Sequence, residues 1–296
     1  MNSPLGKTLG CRQSTSTKTV GNTIKLVSFN VNSIRVRLNQ LEAVIKKHNP
    51  AIIGLQETKV TDEDFPVEEI NDLGYDVAFH GQKTHYGVAL LYRSEATEIR
   101  KGFITDNEES QKRLIRASFT TKDGRPLSVI NGYFPQGENR KHATKFPAKV
   151  KFYADLQAEL SKSYDPEELL FVIGDMNVAT VDQDIGIGSD NAKRWLRDEK
   201  TSFLPEEREW IERLNEWGLH DVYRHHYPEV DDLFSWFDYR SRGFEREPKR
   251  GLRIDLIMAS TGALRYSRDS GIDYDIRSME KPSDHCPIWA DFDIDL

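Results

Sequence analysis

Residues 171–177 read FVIGDMN, an apolar run that stops at Asp175 and Asn177. On an extended chain, residues two apart project to the same side. That geometry suits a ligand shared by these two oxygen-bearing side chains at the end of a buried strand. Asp and Asn are also common turn formers, and a single such ending would be read as a turn. The ending recurs, however. VSFNVN (27–32) closes on Asn30 and Asn32, AIIGLQE (51–57) on Glu57, and SVINGYF (128–134) on Tyr133. Asp255 lies inside LRIDLIMAS (252–260), and KPSDHCPIW (281–289) places Asp284 and His285 just before the last apolar segment. Repeated polar endings on otherwise apolar strands point to a shared site.

Working outward, the chain alternates strands and helices without a dividing linker or a short repeat. A strand at 25–31 precedes a helix through 34–48, with Ile34, Leu38, Leu41 and Ile45 on one face. A short helix is expected within 67–75 and strands at 75–81, 86–93, 113–121 and 127–134, the last two joined by a DGRP hairpin turn (123–126). A long helix follows at 146–163, a strand at 169–176 and a helix at 204–218. Short strands are expected at 234–240, 252–260, 272–277 and 287–294. The strand-to-helix openings at VSFNVN and FVIGDMN fall one in each half. This predicts an α/β four-layer αββα sandwich, with two mixed sheets face to face and helices outside. The two halves would bring their polar strand ends to one edge of a single catalytic domain, residues 23–296.

Composition narrows the class. With 38% hydrophobic and 30% charged residues among 296, the chain reads as a well-solvated globular protein, and no apolar run approaches the length of a membrane helix. Two cysteines without a partner motif argue against a disulfide framework and for a reducing compartment. A net charge of −7 leaves room for nucleic-acid binding, which needs a local basic face rather than a basic total. Residues 1–22 lack acids and the apolar core of a secretory signal. With Arg12 as their only arginine they read as a disordered tail rather than a transit peptide.

Carboxylates and amide oxygens are hard ligands suited to magnesium or manganese, and magnesium is commonly held together with phosphate oxygens. A histidine beside an aspartate offers proton transfer or charge stabilisation near neutral pH. The chain has no HExxH, Cys/His cluster or GxSxG elbow. The Gly-rich DIGIGSDN (184–191) lacks a Walker lysine and reads as a surface loop.

In chain order, FNVNSIR (29–35), GLQETK (54–59), NGYFPQG (131–137), GDMN (174–177), SWFDYRS (235–241), GLRIDL (251–256) and KPSDHCPIW (281–289) resemble the endonuclease/exonuclease/phosphatase superfamily. The longer blocks HGQKTHYGVALL (80–91), FPAKVKFY (146–153) and FLPEEREW (203–210) are similar to its exonuclease III branch of abasic-site endonucleases. The resemblance implies the same four-layered sandwich and a magnesium-dependent DNA repair nuclease, with manganese as a substitute. Such an enzyme cuts 5′ to abasic sites, degrades duplex DNA from 3′ ends and removes 3′ phosphates.

By the same resemblance Glu57 is the principal metal carboxylate, supported by Asn30 and Asp284. Asp175 orients or deprotonates the attacking water. Asn177 bonds a non-bridging phosphate oxygen, and His285, oriented by Asp255, meets the scissile phosphate. A second ion would use Asp175, Asn177 and His285. For Tyr133, phosphate binding, activation of the nucleophile and stabilisation of the leaving group stay open. DNA contacts are expected from Arg35, Arg37, Arg113, Gln136, Lys145, His285 and the basic run 240–253, with Trp236 or Phe237 lining a pocket for a base-less sugar. His85 reads as structural, and His225 and His226 as exposed loop residues. The expected partner is double-stranded DNA with abasic sites or 3′ ends, with no membrane, acted on by a monomer in the cytoplasm of a bacterium, at the nucleoid. The competing readings are a phosphatase acting on lipid or inositol phosphates, and a binding module that has lost its chemistry.

Overall fold

The computed structural model describes residues 23–296, so the tail expected over 1–22 lies outside the described residues. The strands are β1 (Ile24–Asn30), β2 (Ile52–Gln56), β3 (Asp76–His80), β4 (Val88–Tyr92), β5 (Glu98–Lys101), β6 (Leu114–Thr120), β7 (Pro126–Tyr133), β8 (Leu169–Asp175), β9 (Leu219–Asp221), β10 (Asp255–Ser260), β11 (Ser267–Ile272) and β12 (Ile288–Phe292). The helices are α1 (Leu38–His48), α2 (Val67–Asp72), α3 (Lys145–Ser163), α4 (Ser189–Arg197), α5 (Pro205–Trp217), α6 (Val222–His226), α7 (Thr261–Leu264) and α8 (Tyr274–Arg277).

The strands form two six-stranded sheets, ordered β11-β12-β1-β2-β4-β3 and β5-β6-β7-β8-β10-β9. Each holds one parallel pair, β1–β2 and β7–β8, and is otherwise antiparallel. Leu26, Ile52 and Leu90 of the first sheet meet Val129, Phe171 and Ile257 of the second in one core between them. Outside the first sheet, Leu41, Val44 and Ile45 of α1 and Ile70 of α2 cover Val27, Phe29 and Ile53. Outside the second, Phe152, Leu156 and Leu160 of α3 and Trp210 and Ile211 of α5 cover Ile130, Leu170 and Val172. The order is helix, sheet, sheet, helix. This is the α/β sandwich read from the strand pattern.

Local chemistry sets the boundaries. Helix α5 opens on Pro205, whose fixed φ suits a first helical turn and whose missing N–H is no loss there. Glu206 and Glu207 complement its N-terminal dipole, and it stops at Gly218 with φ +109. Strand β8 is buried at every residue because it lies between β7 and β10. Just before its polar end, Gly174 adopts φ +147, and a Cβ there would lie 1.9 Å from the Gly132 oxygen on β7. Only glycine lets the two strands stay paired to their ends.

The sheets are also tied by a buried polar clasp. Asn131 on β7 donates Nδ2 across the interface to the main-chain oxygens of Leu55 (2.9 Å) and Ala89 (2.8 Å). Its Oδ1 accepts from Gln56 Nε2 at 2.6 Å, and Gln56 donates onward to Ser28 at 3.0 Å. Buried amides persist where they are bonded, and here the bonds fix one sheet against the other beneath the polar strand ends.

Several expectations are corrected. Residues 234–240 form no strand; Trp236 makes only isolated bridges to Leu252 and His285. Segment 272–277 is split, because Asp273 accepts hydrogen bonds from the amides of Asp275 and Ile276 and starts α8. The stretch 184–191 is not a surface loop throughout: Asp184 is fully buried, and Ser189 opens α4. His85 is exposed rather than structural. His225 and His226 belong to α6 rather than a loop; His225 is exposed as expected, and His226 Nε2 lies 2.6 Å from Ser267 Oγ.

Replacing Asn131 with alanine removes the donor to two buried carbonyls and one acceptor of the Gln56 amide, which keeps Ser28 and the Gly54 oxygen. Urea unfolding should show a loss of about 3 kcal/mol. A loss below about 1 kcal/mol would mean the clasp contributes little.

Candidate active site

Antiparallel pairing brings the start of one strand beside the end of its neighbour. Strands β1, β2, β7 and β8 therefore end, and β10 and β12 begin, at the same edge of the sandwich. Register sets Asp175 opposite both Tyr133 on β7 and Asp255 on β10. Asn30, Glu57 and the 283–285 segment arrive from the other sheet. Glu57 and Asn177 hold left-handed backbone at φ +52 and +54, uncommon for residues with a Cβ and frequent at functional turns.

Among the described residues, Glu57, Asp175 and His285 form a cluster whose ligand atoms all lie within 4.8 Å of one another. Asn30 sits between the two acids, donating Nδ2 to Glu57 Oε1 (3.0 Å) and Asp175 Oδ2 (2.9 Å), while its Oδ1 accepts the Asn32 amide. His285 is buried. Its Nδ1 lies 2.8 Å from Asp255 Oδ2 and its Nε2 3.7 Å from Asp175 Oδ2. Asp255 is fixed in turn by Ser235 Oγ at 2.6 Å. Asn177 donates its amide N–H to Asp175 Oδ1 and one Nδ2 hydrogen to the Phe134 oxygen. The second Nδ2 hydrogen is left for a ligand.

Burial raises the Asp175 pKa; His285 and the Asn30 hydrogen bond oppose this, while Asp255 and Glu57 reinforce it. Burial alone would lower the imidazole of His285, but the charges of Asp255 and Asp175 outweigh it and raise its pKa. The carboxylates thus favour a protonated His285. Burial, reinforced by Glu57 and Asp175, pushes the Tyr133 phenol far up. Tyr133 is therefore a neutral hydroxyl donor rather than a phenolate.

Asp284 stands one step back. Its oxygens accept from Asn32 Nδ2 (2.8 Å) and Trp236 Nε1 (3.1 Å). Burial works against its ionisation, but His285 and these two donors hold its pKa below the ordinary value.

Two cavities of about 260 Å³ are each lined by a neighbour of the cluster, Tyr133 opposite Asp175 and Trp236 bridged to His285. One is lined by Tyr86, Arg113, Tyr133, Gln136 and Lys145, with the Arg113 guanidinium 4.1 Å from the Tyr86 ring and 4.6 Å from that of Tyr133. The other is lined by Trp195, Trp236, Arg194, Arg246 and Arg250. Arg35 is exposed near the cluster's sheet, on a short turn before α1. Arg37 instead donates to the oxygens of Asn32 and Pro282. Phe237 is fully buried against Phe234 and Phe244, and Arg253 is buried against Asp184 and Asp221, so neither reaches a ligand.

The sequence pattern missed Lys59, whose ammonium meets Glu57 Oε2 at 2.9 Å and Asn32 Oδ1 at 2.6 Å. Its place two residues after Glu57 in GLQETK was the available signal. Ser235 opens the SWFDYRS block, but the stretch reads as a strand and the pattern gives its side chain no role.

The donor set fits a hard divalent cation. Two carboxylates, Glu57 and Asp175, lie with His285 around one point, Asn30 stands between them, and no thiolate is in the cluster.

Residues 27–285 match the family described as Endonuclease/Exonuclease/phosphatase. The chain is 58% identical over 269 residues to exodeoxyribonuclease III of Haemophilus influenzae, covering 91% of this chain and all of that one. A solved AP endonuclease from Archaeoglobus fulgidus superposes with a TM-score of 0.81 at 33% identity, covering 91% of this chain and 99% of the other. A 3′ phosphatase from Neisseria bound to a product DNA hairpin gives 0.80 at 32% identity, with the same coverage.

Changing Asp255 to asparagine removes the anion that holds the imidazolium. NMR titration of labelled histidines should show the His285 pKa falling by about one unit or more. An unchanged value would assign the protonation of His285 to some other group.

Proposed function

The chain belongs to the endonuclease/exonuclease/phosphatase family, and on that premise we propose a magnesium-dependent phosphodiesterase that cuts duplex DNA 5′ to abasic sites and trims 3′ ends. It is a hydrolytic nuclease of the exonuclease III type, serving DNA repair. The observation that carries the finer reading is the meeting of Glu57, Asp175 and His285 from two sheets at one point, with Tyr133 and Trp236, each lining a basic cavity, set beside Asp175 and His285.

In this reading Glu57 is the principal carboxylate for the cation, with Asp175 across Asn30 from it and Asp284 behind. Manganese would serve as a substitute. When bound, the ion supplies positive charge against the phosphate and its developing negative charge. Asn30 meanwhile holds the two carboxylates at a fixed spacing.

The reaction adds a water oxygen to phosphorus and breaks the bond from phosphorus to the 3′ oxygen. A 5′ phosphate and a 3′ hydroxyl result. Asp175 is placed to take the proton of the water. Its raised pKa makes it a stronger base than an ordinary carboxylate once it is ionised. Asn177 donates its second Nδ2 hydrogen to a non-bridging oxygen, where charge grows in the transition state. The His285 cation, held by Asp255, faces the same phosphate. Tyr133, a neutral donor stacked on Arg113, is placed to bond the phosphate or the departing oxygen. Arg35, Arg113, Gln136 and Lys145 meet backbone phosphates on one side, and Trp236 lines the cavity on the other, where a sugar without its base costs least to unstack.

The acidic total charge fits modest DNA affinity that weakens as salt is added. Among the described residues no helix is long and apolar enough to cross a membrane. The nearly full-length likeness to a Haemophilus protein supports a bacterial enzyme, which we place at the nucleoid and working as a monomer.

The test is a labelled duplex with one abasic analogue. Nicking 5′ to the lesion should appear with magnesium, vanish in EDTA and fall by about a thousandfold or more in Asp175→Asn. Nicking that survives EDTA or the substitution would refute this assignment. An intact duplex alongside hydrolysis of an inositol phosphate would favour the phosphatase reading.

A further inference from the structure

The ammonium of Lys149 on α3 is wholly removed from solvent, and the reaction described above does not use it. Its Nζ donates to Glu207 Oε1 on α5 at 2.5 Å, to the main-chain oxygen of Asn177 at 2.8 Å and to that of Gln136 at 3.3 Å. An ammonium has three hydrogens, and all three are spent. The two carbonyls belong to different parts of the site: Asn177 lies in the catalytic turn, and Gln136 lines the cavity beside Tyr133.

Neighbouring bonds tighten the same arrangement. Glu207 Oε2 accepts the Leu204 amide at 2.7 Å, so the anion facing Lys149 is itself fixed at the start of α5. Tyr153, one turn further along α3, donates its hydroxyl to the Met176 oxygen at 2.7 Å. Helix α3 thus grips two consecutive carbonyls of a turn whose Asn177 holds left-handed backbone. Such a conformation persists where its surroundings over-determine it.

Stability is a weak reason for this pair to exist. Desolvation offsets most of the attraction within a buried ion pair, and apolar replacements of similar volume are often as stable. We infer that Lys149, anchored by Glu207, is a positioning residue: its ammonium ties the turn bearing Asn177 to the loop bearing Gln136 and fixes the spacing between the reacting phosphate and the flanking strand. This rests on the proposed reading that Asn177 faces the phosphate.

The test compares kcat and KM for nicking of the abasic duplex, well below the thermal midpoint, in the parent and in Lys149→Met combined with Glu207→Gln. The expected result is a fall in kcat of about 100-fold with KM within about threefold, since small displacements at a reacting centre cost about that much. Leu160→Ala, at the far end of α3, should lower the midpoint yet keep kcat, which a purely structural role of the helix would not allow. A folded double variant with kcat within about threefold of the parent would overturn the inference. Should the double variant fail to fold, Tyr153→Phe decides by the loss of one hydroxyl. It should lose about fivefold in kcat, and an unchanged value would overturn the proposal. Asn177→Ala separates the two levels, because full activity in that variant would remove the reading beneath the inference.

Discussion

The structure is organised by the burial of three carboxylates and one imidazole where two sheets meet. Asp175, Asp255 and His285 are almost wholly out of solvent, and Glu57 lies beside them, half-buried. Such charges are costly unless paired and bonded. The pairing is supplied by groups whose own positions are fixed: Asn30 between Glu57 and Asp175, Ser235 behind Asp255, and Asp255 behind His285. Because the acids come from opposite sheets, their spacing depends on how the sheets are held, and the Asn131 clasp and the glycine at 174 both bear on it. Burial, reinforced by Asp255 and Glu57, makes Asp175 resist ionisation, and the charges of Asp255 and Asp175 keep the proton on His285.

Much of this was legible in the sequence. An apolar run ending in an acid or amide is a strong signal when it recurs, and Asn30, Glu57, Asp175, Asp255 and His285 were all readable from it. The central strands showed because burial on both faces leaves uninterrupted apolar residues, as in LLFVIGD. The edge strand β5 and the helix α4 did not show, although the edge strand β3 did. β5 is EIRK, exposed at every position, and α4 has no buried residue, so neither carries an apolar pattern. The segment around Trp236 is aromatic like a strand, yet its bonds go to Leu252 and His285 as single bridges.

Roles set by a partner distant in sequence were beyond reach. Lys149 is one of three lysines within seven residues, and nothing local marks it as the buried one. Asp184 looked like part of a polar loop because Arg224 and Arg253, which draw it inside, lie 40 and 69 residues away. Arg253 belongs to a run read as a basic DNA face, and the same buried network removes it from that face. Arg194, Arg246 and Arg250 line one cavity near the site, and Arg113 and Lys145 the other. A chain with an acidic total can therefore still present positive charge where a phosphate backbone would lie.

The central claim is that side chains from the two sheets act as one catalytic unit. It is tested most directly by a double-mutant cycle between Glu57 on the first sheet and Asp175 on the second. Single-turnover cleavage of an abasic duplex would be measured for Glu57→Gln, Asp175→Asn and the pair. Residues that act as a unit are grossly non-additive, so the double variant should be about as slow as the slower single one. Losses that multiply through to the double variant would contradict the account, because they would mean that the two carboxylates act independently.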